Sequence, residues 1–151
     1  MFKAIQKRLL GFLHNKSLIQ ERVQMLMTIP GIGEVTALTW VLEVGETERF
    51  PSIKDAVSYC GLCNAQKESA GRSVRGPISK KRNQHLQHVL IEAAKIAPIW
   101  DERLANVHAR VAKTAHRNTA TLAVARKMVA YMLAVERSGQ AFEYKSLSKA
   151  A

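Results

Sequence analysis

Apolar residues recur at three- and four-residue intervals along most of this 151-residue chain, and the pattern breaks at two places. The spacing predicts helices over 2–14, with Phe2, Ile5, Leu9 and Phe12, and over 17–27, with Leu18, Val23 and Leu26. It resumes from about Glu34 to Val44, with Val35, Leu38 and Leu42 on one side and Gly45 as a stop. Ser52 caps a short helix to Tyr59, which Gly61 ends. Ser79 is the expected N-cap of a long helix to about Ala97, interrupted by Pro98, with two further helices over 101–113 and 119–136. The tail after Gly139 reads as frayed. The fold class that follows is mainly α.

The first break is Thr28-Ile29-Pro30-Gly31-Ile32-Gly33. Proline and two glycines between helices predict a helix-hairpin-helix, with positive φ at Gly31 and Gly33 and apolar Ile29 and Ile32 filling the space between the helices. Amides of such a turn and of the following helix can donate to a phosphate oxygen, which makes Gly31, Ile32 and Gly33 candidate nucleic-acid contacts. The plain alternative is a tight corner serving only packing.

The second break, residues 62–78, predicts a loop or a short two-stranded ribbon, with a helical bundle beyond it. From Lys67 to Arg82 the cations are Lys67, Arg72, Arg75, Lys80, Lys81 and Arg82, and Glu68 is the single acid. Ser69 and Ser73 sit among them. Arginines can stabilise charge developing on a phosphoryl group. A serine hydroxyl is nevertheless a weak nucleophile without a base, and no general base is obvious here. From residue types alone, a phosphate-binding loop with ordinary serines is the leading reading. Downstream, Arg103, Arg110, Lys113, Arg117, Arg126 and Lys127 occur with no acid from 103 to 135, and His108 and His116 lie among them. They make a second basic face or a merely solvated one.

The net charge of +11 agrees with a polyanionic partner, nucleic acid before anionic membrane. An apolar fraction of 47% excludes a wholly disordered chain. No apolar run is long enough to cross a bilayer, and the N-terminal stretch reads as a surface helix rather than a signal peptide. Cys60 and Cys63 supply half of a tetrahedral metal site. His85 and His88 could complete it, but buried structural thiols are the favoured reading, and no metal ligand is assigned in this chain.

The chain resembles the C-terminal domain of the DEDD insertion-sequence transposases, the bridge-RNA-guided family. The resemblance rests on Ile29-Pro30-Gly31-Ile32-Gly33, Arg49-Phe50-Pro51-Ser52, Tyr59-Cys60-Gly61-Leu62, Ser69-Ala70-Gly71 and Arg75-Gly76-Pro77-Ile78-Ser79-Lys80, followed by Asn83 and Leu86. It covers roughly residues 25–97. Ala70, Asn64 and Arg82 depart from the common residues at their positions.

The resemblance implies DNA recombination. It implies a serine that attacks the DNA backbone, which falls on Ser69 with Ser73 in reserve, and a partner RuvC-like domain with four metal-binding acids. It further implies a divalent metal such as Mg in that other domain, DNA as substrate, a structured guide RNA, assembly with full-length copies of the transposase, and a bacterial, nucleoid-associated cytoplasmic setting. Only 28 residues precede the hairpin, and aspartate occurs only at 55 and 101. The expectation is therefore a truncated or separately encoded piece, inactive alone. Its parts are a lead-in over 1–27, the transposase domain over 28–136 and a tail over 137–151.

Overall fold

The computed structural model describes residues 2–14, 17–69, 72–78 and 83–143. The elements in order are α1 (Phe2–His14), α2 (Ser17–Leu26), α3 (Glu34–Val44), a 3-10 turn (Thr47–Arg49), α4 (Ile53–Tyr59), β1 (Asn64–Ser69), β2 (Arg72–Ile78), α5 (Gln84–Trp100), α6 (Glu102–Ala112) and α7 (Arg117–Ser138). The fold is mainly α, as the periodicity predicts. The second break is a ribbon of two antiparallel strands.

Helix ends follow local chemistry. Ser52 caps α4 by accepting from the Asp55 N–H (3.3 Å). Gly45 closes α3 at φ 67°, and Gly139 closes α7 at φ 64°. Both angles lie in the region open to glycine at no steric cost. Three expectations are corrected. The N-cap of α5 is Asn83, not Ser79: its Oδ1 accepts from the N–H groups of His85 and Leu86, both at 3.1 Å. The helix also continues past Pro98 to Trp100. Proline removes one donor, but the Asp101 N–H still reaches the Ala97 carbonyl at 3.0 Å and holds the last turn. Finally, α3 does not bury Val35 and Leu42, which face solvent. Its buried face is Ala37, Leu38, Trp40, Val41 and Val44, because the largest side chain, Trp40, turns inward.

α7 is the hub and touches α2, α4, α5 and α6. Its buried residues include Val124, Ala125, Met128, Val129, Met132 and Leu133. Val23 and Leu26 of α2 are buried in the same core, so residues before the Thr28–Gly33 segment belong to it. Glu136, 5% exposed at its side chain, ties three elements together. It accepts from Arg22 Nε (2.6 Å), from the second Arg22 nitrogen (3.0 Å) and from Trp40 Nε1 (2.9 Å). That hydrogen bond to Glu136 holds the Arg22 guanidinium above its ordinary pKa.

Just past Gly139 the chain packs on α7. Phe142 stacks on Tyr131, ring centroids 4.8 Å apart, and its N–H donates to Thr28 Oγ1 at 2.8 Å. Residues 144–151 lie outside the described residues.

Candidate nucleic-acid interface and serine ribbon

The turn between α2 and α3 is built from the inside. Ile29 and Ile32 are buried, at 1% and 5% exposure, and fill the space beneath it as predicted. The Ile32 N–H is also spent within the turn, on the Ile29 carbonyl (3.1 Å). The two glycines differ. Gly31 has φ +85°, and a Cβ there would stand 2.5 Å from the Cβ and 2.7 Å from the Cα of Ala97 in α5. Its missing side chain lets the turn press onto α5. Gly33 corrects the expectation of positive φ: it sits at φ −92°, ψ −179°, an ordinary extended conformation. A Cβ on Gly33 would meet nothing within 4 Å, and the residue is exposed. It precedes α3 with no side-chain cap, so backbone rather than side chain forms the outer surface at this end of the helix.

The ribbon carries the candidate serines. Its Cα register pairs Ser69 with Arg72, Glu68 with Ser73, Lys67 with Val74 and Gln66 with Arg75. Ser69 and Arg72 are thus directly opposed where the strands close, separated by Ala70 and Gly71, which lie outside the described residues. Ser73 is one step further from that end. The register slips between Gln66 and Asn64: two steps along β1 match three along β2, from Arg75 to Ile78. The extra residue falls at Gly76-Pro77, where a proline without an N–H fits a bulge. Ser79, Lys80, Lys81 and Arg82 lie outside the described residues.

The described segments before and after the ribbon are tied to the helices. On one side, Gln87 Nε2 donates to the Gly61 carbonyl (2.7 Å), and Arg126 Nε donates to that of Leu62 (2.9 Å). On the other, the Asn83 N–H reaches the Tyr59 carbonyl (3.3 Å), and Asn83 Nδ2 donates to Glu43 Oε2 (2.8 Å). Tyr59 in turn donates its hydroxyl to the Glu43 carbonyl (3.0 Å). The Arg49 guanidinium lies over the rings of Phe50 (4.9 Å) and Tyr59 (4.4 Å). The Arg49-Phe50 and Tyr59-Cys60-Gly61-Leu62 motifs are therefore supports of the ribbon. Sequence reasoning missed Glu43, Gln87 and Arg126 in this role. Their signal is absent from local pattern, because the bonds span 26 to 64 residues.

Arg126 thus leaves the second basic face for the anchor, and Lys127 lies over the Tyr131 ring at 5.8 Å. Arg110, Lys113 and Arg117 remain exposed at the α6–α7 end. His116 there caps α7, its Nδ1 accepting from the Asn118 N–H (3.2 Å). Cys60 is buried, and burial pushes its thiol up to about 12. Cys60, Cys63, His85 and His88 do not come together as ligands: among the described residues no group of three or more His, Cys, Asp or Glu side chains could hold a metal. No helix of the described structure is long and apolar enough to cross a membrane.

Residues 23–109, more than half of the chain, match the family model described as "Transposase IS116/IS110/IS902 family". The chain is 29% identical over 129 residues to the transposase for insertion sequence element IS1328 of Yersinia enterocolitica, covering 81% of this chain and 38% of that protein. It is 33% identical over 75 residues to the transposase for insertion sequence element IS1111A of Coxiella burnetii, covering 50% of this chain and 21% of the relative. A probable family 20 transposase of Pseudomonas aeruginosa is 28% identical over 74 residues, 49% of this chain and 22% of its own length. The chain thus spans well under half the length of the relatives it matches. The matched region contains the turn, the ribbon and the anchors at Tyr59, Asn83 and Gln87, and on this match the chain belongs to the IS116/IS110/IS902 family of transposases.

Proposed function

We propose that this chain is the DNA-binding and recombination part of a DEDD-type, RNA-guided insertion-sequence transposase, with Ser69 as the nucleophile of strand transfer. The observation that carries the reading is the pairing of Ser69 with Arg72 at the closed end of a two-stranded ribbon, which rises from a segment, Gly61–Leu62, held by Gln87 and Arg126. Such a support presents the ribbon end as one defined element.

In the proposed step a bond forms between Ser69 Oγ and the DNA phosphorus, and one bond from phosphorus to a sugar oxygen breaks. The serine gives up its proton, and the departing sugar oxygen takes one up. The number of phosphate ester bonds is conserved, so the joint can be reversed onto a new strand. Arg72, Arg75 and Lys67, with Lys80, Lys81 and Arg82, supply positive charge around the phosphate. The turn shaped by Gly31 and Ile32 offers DNA its backbone at Gly33, which positions without reading sequence. The family resemblance places the divalent metal it implies in a RuvC-like domain. The guide RNA and assembly with full-length transposase rest on the same resemblance.

A non-catalytic nucleic-acid-binding module is the rival reading, favoured by the net charge of +11, which accounts for DNA binding without any chemistry at the serines. Reconstitution with a RuvC-like domain, Mg and an insertion-sequence end separates the two. The expected result is a denaturant-resistant protein–DNA adduct, kept in Ser73→Ala and lost in Ser69→Ala. An adduct that persists in Ser69→Ala removes the nucleophile assignment. DNA binding without adduct under all conditions selects the rival. The chain alone is expected to bind DNA and form no adduct.

A further inference from the structure

Trp100 ends α5 and is 70% exposed, whereas the other tryptophan, Trp40, is fully buried. An exposed indole of this size is unusual, since tryptophan is highly buried on average. It is also held in place. One turn back, Ala97 is pressed against Gly31. One residue on, Asp101 is fully buried and caps α6 through the Arg103 N–H at 2.8 Å. The backbone on both sides of Trp100 is therefore fixed.

The indole stands beside the turn. Residues 27–33 and Trp100 line one shallow depression of about 500 Å³. No carboxylate lines it. Two larger depressions both carry acids: Glu21, Glu46, Glu48 and Glu136 line one, Glu43 and Glu92 the other. The depression itself is uncharged, so in a chain of net charge +11 it offers a polyanion with flat rings an aromatic wall with no carboxylate in its lining to repel it. Every base has a π-face, and an exposed aromatic on a rigid support receives it without sequence preference.

We propose that Trp100 is a stacking platform for a nucleobase of single-stranded DNA, seated in the depression it forms with the 27–33 turn. The proposal rests on the reading of this chain as DNA-binding. It adds that the turn is approached by an unpaired strand as well as by backbone phosphates. Recombination exposes such unpaired strand ends, which a stacking residue can hold in place while the phosphate is engaged elsewhere.

The test is titration of the 151-residue chain with an oligothymidylate, followed by indole fluorescence and by anisotropy of a label on the DNA. Trp40 is buried, so a DNA-dependent change in emission reports Trp100. The expected result is quenching on binding, and an affinity for the single strand that falls about 5- to 100-fold in Trp100→Ala. Trp100→Phe should keep most of the affinity, and the melting temperature should change little in either variant. Binding of the oligonucleotide with unchanged emission, or with parental affinity in Trp100→Ala, overturns the proposal and leaves the DNA-binding reading standing. So does a parent chain that self-associates where Trp100→Ala, with DNA affinity intact, does not, which assigns the depression to a second copy of the chain. A parent chain that binds no DNA at low salt removes the DNA-binding reading, and this proposal with it.

Discussion

A Cβ placed on Gly31 would stand 2.5 Å from the Cβ of Ala97, closer than real Cβ atoms come to such neighbours. This contact joins the turn of α2 and α3 to the last turns of α5 across 66 residues of sequence. It makes Gly31 a packing residue and leaves Gly33 on the outer surface.

Gly31→Ala is accordingly expected to destabilise the fold by about 3 kcal/mol or more, from positive-φ strain and overpacking together. Gly33→Ala should change stability by no more than about 0.5 kcal/mol, because its φ suits any residue and its surroundings are open. Denaturant unfolding of the two variants checks both. Because Gly33→Ala stays folded, DNA affinity lost in that variant reports the approach of DNA to the turn.

Asn83 caps α5 and ties its start to Glu43 and Tyr59 at once. Asn83→Ala removes the cap from His85 and Leu86 and the bond to Glu43. The expected cost is about 1–2 kcal/mol. Asn83→Asp keeps the capping oxygen but sets a second carboxylate beside Glu43. It should therefore be less stable than the parent at neutral pH and recover in Glu43→Gln, Asn83→Asp. Urea unfolding of the parent, Glu43→Gln, Asn83→Asp and the double variant measures the coupling.

Cys60 gives a prediction in pH. Burial raises its folded pKa to about 12 from an unfolded value near 9. The neutral thiol therefore contributes stability that is fully present below pH 9 and is lost as pH rises toward 12. The slope from this group cannot exceed about 1.4 kcal/mol per pH unit. Cys60→Ala should flatten the loss of stability between pH 9 and 10.5 relative to the parent, read as the difference between their melting temperatures. In the native protein at pH 8, a thiol reagent should modify Cys60 only after denaturant is added.

The helices and the turn were legible because proline and glycine punctuate them at Thr28–Gly33, Gly45 and Gly139. The ribbon was legible as one of two alternatives, a loop or a two-stranded ribbon, since Asn64–Ser69 shows no alternation of apolar and polar residues that would mark a strand outright. Ser79 and Asn83 both suit an N-cap, and tertiary bonds from Asn83 to Tyr59 and Glu43 decided between them. Val35 and Leu42 satisfied a helical spacing as well as Leu38 did, but the bond from Trp40 to Glu136 set which face turned inward. The support of the serine ribbon was hidden for the same reason: Gln87 and Arg126 act on carbonyl groups, which leave no trace in residue type.

Glu136 is the most consequential single side chain in the core. Glu136→Ala leaves Trp40 Nε1 buried without an acceptor and Arg22 without its carboxylate. Removing one partner of such a pair costs more than the pair contributes, because the remaining polar groups stay desolvated. The expected loss is about 3 kcal/mol, moderated by the partial exposure of Arg22. Glu136→Gln retains an acceptor for Trp40 and should lose less than half as much. Arg22→Met should fall between the two, since Gly45 also loses the donor that reaches its carbonyl at 2.6 Å. Guanidinium denaturation of the three variants ranks them, and indole emission adds a separate readout. Trp40 emission should shift to the red in native Glu136→Ala, as water replaces the carboxylate, and stay in place in Glu136→Gln.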